Sequence, residues 1–247
     1  MQSAVGPLGA GDDRSRSPVA SRCDAGRRLT NGYFAGTTAS RILVVILGLL
    51  GGLAGAVHGV AEIRNGNVGT DGHLLKSVGA FTLIPNYRAT GVAAVALGAA
   101  VVIWTLGFVH RKHGAAVFLG LFAGLFLVGG GFAQVPFFLL AWAVATRIGR
   151  PVSWFDHSRL VAWRTRLSAA WLPLLASALT FLAAGLLIWM IVLTPGIERN
   201  VSVMHYLCWS LIGGALLLLP CAAVAGLAKD AAAHLGDEGA SRHSARR

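Results

Sequence analysis

The chain has 247 residues, of which 55% are hydrophobic and only 13% charged, with a net charge of +11 and a mean hydropathy of +0.66. A soluble domain carries about 25% charged residues; here the charges stand in short islands between long apolar runs, which leaves no room for a soluble catalytic domain. The basic excess flanks those runs instead of forming a patch, which points to membrane orientation and away from nucleic acid.

Residues 1–40 are rich in Ser, Gly, Ala and Arg and hold no apolar run long enough for a signal-peptide core. They are expected to form a flexible basic cytoplasmic tail, so that the first span is an uncleaved anchor. That span is predicted over 42–62. Residues 63–88 read as a polar loop with an apolar middle, Val78 to Ile84, which Pro85 makes a poor spanning candidate. Whether residues 74–84 form an interfacial or re-entrant helix is left open by the sequence. The second span, 89–109, stops at His110, Arg111, Lys112 and His113.

The next apolar run, Ala115 to Thr146, has 32 residues. As one helix it would be about 48 Å long, too long for a single pass through a ~30 Å hydrocarbon core. Gly129, Gly130, Gly131 and Pro136 lie near its middle, where a chain turns. Two passes, 115–131 and 133–148, give six spans and put both termini on one side. Of the 21 Lys and Arg, 17 then fall on the terminal side and 4 on the other. A single pass leaves 9 against 12, with the excess on the wrong side. Lys and Arg favour the cytoplasm, so the expected fold is an all-α, six-helix transmembrane bundle with cytoplasmic termini.

The remaining spans are predicted at 168–193 and 205–228, with a cytoplasmic tail over 229–247. Between them and the fourth span, Pro151 to Arg166 mixes Trp154, Phe155 and Trp163 with Arg159, Arg164 and Arg166. This segment reads either as an interfacial amphipathic helix on anionic lipid or as an extension of span five. Tyr87, Trp189, Tyr206 and Trp209 fall near predicted outer ends, and Trp104 and Trp171 near inner ends, as an aromatic belt requires. Cys208 and Cys221 are 13 residues apart, about 20 Å along a helix, so they cannot pair with each other. Both read as small core residues. The halves show no matching broken helices of the kind transporters use.

The first span carries the chemistry. Gly48 and Gly52 are four apart, as are Gly51, Gly55 and Gly59, a small-xxx-small ladder that lets a neighbouring helix approach closely. His58 and Glu62 are also four apart and share the glycine face, so they are expected to point into the bundle. Glu62 lies about 30 Å along the helix from Ile42, at the depth of the outer headgroups. Two readings stand side by side: a helix-end polar pair, with His58 bonded to Glu62 or a backbone carbonyl, or a pair that handles a proton or ligand. Asn86 and His205 fall on the same side and complete the candidate set, although Asn86 also reads as the cap of span two.

The pattern His58-Gly59-x-x-Glu62, Gly66-Asn67, Thr82-Leu-Ile-Pro85-Asn86, Thr90-Gly91, Arg111-Lys112-His113-Gly114 and Gly129-Gly-Gly131-Phe132 resembles a loose group of bacterial polytopic membrane proteins of no known activity. The resemblance covers about residues 55–150. It implies a multi-pass protein of the bacterial cytoplasmic (inner) membrane and supplies no function.

Catalytic serine, aspartate-pair and HExxH signatures are absent, so the sequence gives no reason to propose an enzyme. No cofactor and no metal are expected; a zinc site would need His58, Glu62, His73 and His205 to converge. The leading expectation is a protein that binds or passes a small ligand or proton at a shallow outer-side site. The alternative is a structural or accessory subunit whose glycine ladder packs on a membrane partner or its own copy. A haem or quinone redox protein stands behind both. The partners are the lipid bilayer and, under the alternative, another membrane chain.

Overall fold

The computed structural model describes residues 38–70, 72–75, 80–149, 161–192 and 201–244. Among the described residues the α-helices are α1 (Ala39–Arg64), α2 (Tyr87–Gly107), α3 (Gly114–Leu127), α4 (Val135–Ala145), α5 (Val161–Val192) and α6 (Val201–Ser244). Four of them, α1, α2, α5 and α6, are long and apolar enough to cross a membrane. Leu53, Val57, Ile103, Leu187 and Leu217 are all more than half exposed. In water such a belt would be a large apolar patch; facing hydrocarbon it has no cost.

Local chemistry sets the helix ends. The Thr38 hydroxyl accepts from the Arg41 amide, and the Asn86 carboxamide oxygen accepts from the Ala89 amide at 3.0 Å. Both side chains satisfy a donor that the first helical turn leaves unpaired. At the start of α1 a second cap arrives from another helix. Asp230 of α6 accepts from the Ala39 amide at 2.6 Å, and its other oxygen accepts from the Ser40 amide at 3.0 Å and the Ser40 hydroxyl. A carboxylate at a helix N-terminus is favoured by the helix dipole, so this contact ties α6 to α1 at one end of the molecule.

The glycines of α1 form two tracks. Gly48, Gly52 and Gly59 face α2, which runs antiparallel: a Cβ on Gly48 would meet Thr105, one on Gly52 the Gly98 carbonyl, and one on Gly59 the Gly91 carbonyl. Gly51 and Gly55 face the other way, against Phe138 of α4 and Leu125 of α3. Only residues without a side chain let the helices come this close.

α3 and α4 are short, 14 and 11 residues, and the chain reverses between them. Phe122 and Phe138, at equal distances in sequence from Gly130, stack with ring centroids 4.2 Å apart. The reversal is made by an extended strand, β3 (Val128–Gly131), and one 3-10 turn, Phe132–Gln134. α5 and α6 pair antiparallel, with Gly185 against Ile212, Gly214 against Phe181 and Gly226 against Trp171.

The structure refines several expectations. The described residues of 74–84 form no helix: β1 (Leu74–Leu75) and β2 (Ala80–Thr82) pair antiparallel there, and β2 pairs antiparallel with β3. Helix α6 itself continues to Ser244, beyond the span predicted over 205–228, as a helix can outrun its membrane segment. The start of α5 at Val161 makes 161–166 part of that helix; residues 151–160, the rest of the expected interfacial segment, lie outside the described residues. Cys208 is buried, its thiol donating to the Gly185 carbonyl, but Cys221 is exposed. Trp171 is buried against Gly226.

Candidate functional site

The second glycine track of α1 leads to the site. One turn beyond Gly55, His58 and then Glu62 meet not a helix but the glycine strand β3. A Cβ built on Gly131 would stand 3.3 Å from His58 Nε2, and one on Gly129 would stand 2.6 Å from Glu62 Oε1. Gly129 has a φ of +110°, a conformation that side-chain-bearing residues rarely adopt. Conformation and space therefore both require glycine at this position.

Strand β3 is held in place from behind. β2 pairs with it through Ala80 opposite Gly131 and Thr82 opposite Val128, and the Leu83 amide donates to the Leu127 carbonyl at 2.9 Å. Thr82, fully buried, shares a hydroxyl–hydroxyl hydrogen bond with Thr90 in the first turn of α2. His73 donates from Nδ1 to the Thr82 carbonyl. The ends of α1, α2 and α3 thus meet on one small sheet.

Under that sheet Glu62 has no solvent exposure, and neither of its carboxyl oxygens has a hydrogen-bond partner among the described residues. The His58–Glu62 bond, one form of the helix-end reading, is not made. Buried polar groups are nearly always paired, so an orphaned carboxyl is an informative exception. Glu62 occupies the last turn of α1, and Gly129 follows the C-terminal end of α3; both helix ends carry partial negative charge. Gln134, three residues beyond the end of β3, is also buried, with both amide atoms unpartnered among the described residues.

The other candidates lie elsewhere. Asn86 caps α2 and donates from Nδ2 to the Asn67 carboxamide oxygen at 2.8 Å. It borders a recess of about 630 Å³ lined by Asn67, Arg88, Ala89, Val92, Ala93 and Ala96, in which neither His58 nor Glu62 takes part. His205 belongs to the α5–α6 pair, its ring edge-on to Trp189 at 5.6 Å. Among the described residues no three His, Cys, Asp or Glu side chains come together as a metal site would need. Sequence reasoning found His58 and Glu62 from helical spacing. It missed that the glycine run covers them, although both motifs were visible.

No protein-family model matches the chain, and neither a curated protein nor a solved structure is similar to it.

Proposed function

We propose that this is a six-span protein of the bacterial cytoplasmic membrane, with both termini inside, that binds or passes a proton or small cation at a shallow outer-side site. Glu62 is the binding group and His58 its neighbour, with the Gly129–Gly131 strand as cover. The observation that carries the reading is the Glu62 carboxyl: fully buried, unpartnered, and set between two helix C-terminal ends. An ionised carboxylate buried without a partner is strongly unfavourable. A proton or a small cation neutralises it; an anion would add to the repulsion.

The reading in which the glycine ladder docks a partner is less well supported. Gly48, Gly51, Gly52, Gly55 and Gly59 all lie against α2, α3 or α4 of the same chain, so that ladder offers no free groove. Haem fits poorly, because the glycine strand covers His58 Nε2 where iron would have to approach.

An apolar carbodiimide, which reacts with a protonated carboxyl from within hydrocarbon, tests the proposal on protein in vesicles. Peptide mass spectrometry should find the adduct on Glu62, with labelling slowed by raising the pH and by the salt of a competing monovalent cation. Absence of the adduct, or a rate indifferent to both pH and salt, would refute it.

A further inference from the structure

A second site lies at the same end of the molecule, on a face of α2 that excludes Gly91, Ala94 and Gly98, the residues packed on α1. Its rim is Arg88, Asn67 and Asn86, and its floor is Ala89, Val92, Ala93 and Ala96. The floor residues recur at helical spacing and form one stripe running from the N-terminus of α2 into the apolar body of the helix. All have short side chains, and Val92 is more than half exposed, so the stripe is a shallow, smooth apolar channel.

The rim has a definite charge character. The Asn86 carboxamide oxygen is used by the Ala89 amide, and its Nδ2 donates to the Asn67 oxygen. That arrangement leaves the Asn67 amide hydrogens, the other Asn86 amide hydrogen and the Arg88 guanidinium as donors. Among the described residues no acidic side chain lines the recess. Donors at the top with hydrocarbon directly below match an amphiphile with an anionic head. Arg suits a phosphate in particular, because its planar fork donates two parallel hydrogen bonds.

We infer that this recess binds one anionic membrane phospholipid, its phosphate held by Arg88 and Asn67 and one acyl chain laid along Val92, Ala93 and Ala96. Free phosphate would satisfy the rim but not the apolar stripe, and a zwitterionic lipid would bring a cation beside Arg88. The inference is independent of the Glu62 site, whose residues take no part in the recess.

Native mass spectrometry of the whole protein, released from vesicles of phosphatidylcholine with a minor fraction of phosphatidylglycerol, provides the test. Wild type should retain phosphatidylglycerol out of proportion to its share. Arg88→Gln should lower that retention about fivefold, the size expected for one interfacial cation. Arg111→Gln, at the other end of α2, should leave it unchanged. Because Arg88 is exposed, its substitution does not threaten the fold. Equal retention in wild type and Arg88→Gln, no preference for phosphatidylglycerol over phosphatidylcholine, or full displacement by millimolar inorganic phosphate would each overturn the inference.

Discussion

Gly129 lies so close against Glu62 that a single added carbon would stand 2.6 Å from Oε1 and 2.7 Å from Oε2. The contact joins two segments 67 positions apart in sequence and buries the one acidic side chain of α1. With φ at +110°, Gly129→Ala should destabilise the protein by about 2 kcal/mol or more, from backbone strain and the displaced carboxyl together. Thermal unfolding in detergent would register this as a clear drop in Tm. Gly120→Ala is the comparison, since nothing lies within 4 Å of that position, and it should be neutral or slightly stabilising.

The two glycine tracks make a separate prediction. A Cβ on Gly52 would stand 2.8 Å from the Gly98 carbonyl oxygen, a backbone atom that cannot swing aside. Gly52→Val should therefore separate α1 from α2 at a cost of about 1–3 kcal/mol. Gly55→Leu should likewise injure the fold of the single chain, through Leu125. Size-exclusion chromatography with light scattering would contradict this if Gly55→Leu left a well-folded protein and removed only an oligomer.

Asp230 caps α1 from a distance of 190 residues in sequence. Asp230→Ala should cost about 1–2 kcal/mol, as the loss of a helix cap does. Hydrogen exchange at the Ala39 and Ser40 amides should quicken sharply while exchange in the middle of α2 stays slow. Unchanged protection at Ala39 and Ser40 would show that the carboxylate does not hold that end.

His110, in the turn between α2 and α3, has its pKa pushed below the ordinary 6.5 by partial burial and then by Arg41 and Arg111. The unfolded chain therefore binds a proton more readily than the folded one. Stability should rise as pH climbs towards 6.5 and be level above it. The effect is small because the ring is exposed. His110→Gln should flatten the acid side of a Tm–pH profile; an unaltered slope would assign that slope to other groups.

The helical parts of this arrangement are legible in the sequence because hydrocarbon enforces them. Long apolar runs, a glycine spacing of four and the reversal at Gly129–Gly131 all follow from length and backbone chemistry. The burial of Glu62 also follows, from its place on the face of Gly55. The small sheet does not. Leu74–Leu75 and Ala80–Thr82 are too short to show a period, and their pairing with β3 is a contact across the chain that no local pattern records. Asn86 and His205 were grouped with His58 by depth alone. Depth fixes a residue's level in the membrane but not its direction around the bundle, and both side chains turned elsewhere.

Infrared difference spectroscopy of the protein in vesicles, wild type beside Glu62→Gln, tests the central claim most directly. A carboxyl that takes up a proton or a small cation predicts a protonated-carboxyl band in wild type that changes with pH or with added monovalent salt and is missing from Glu62→Gln. A wild-type spectrum that does not respond to pH or salt, or one identical to that of Glu62→Gln, would contradict the account.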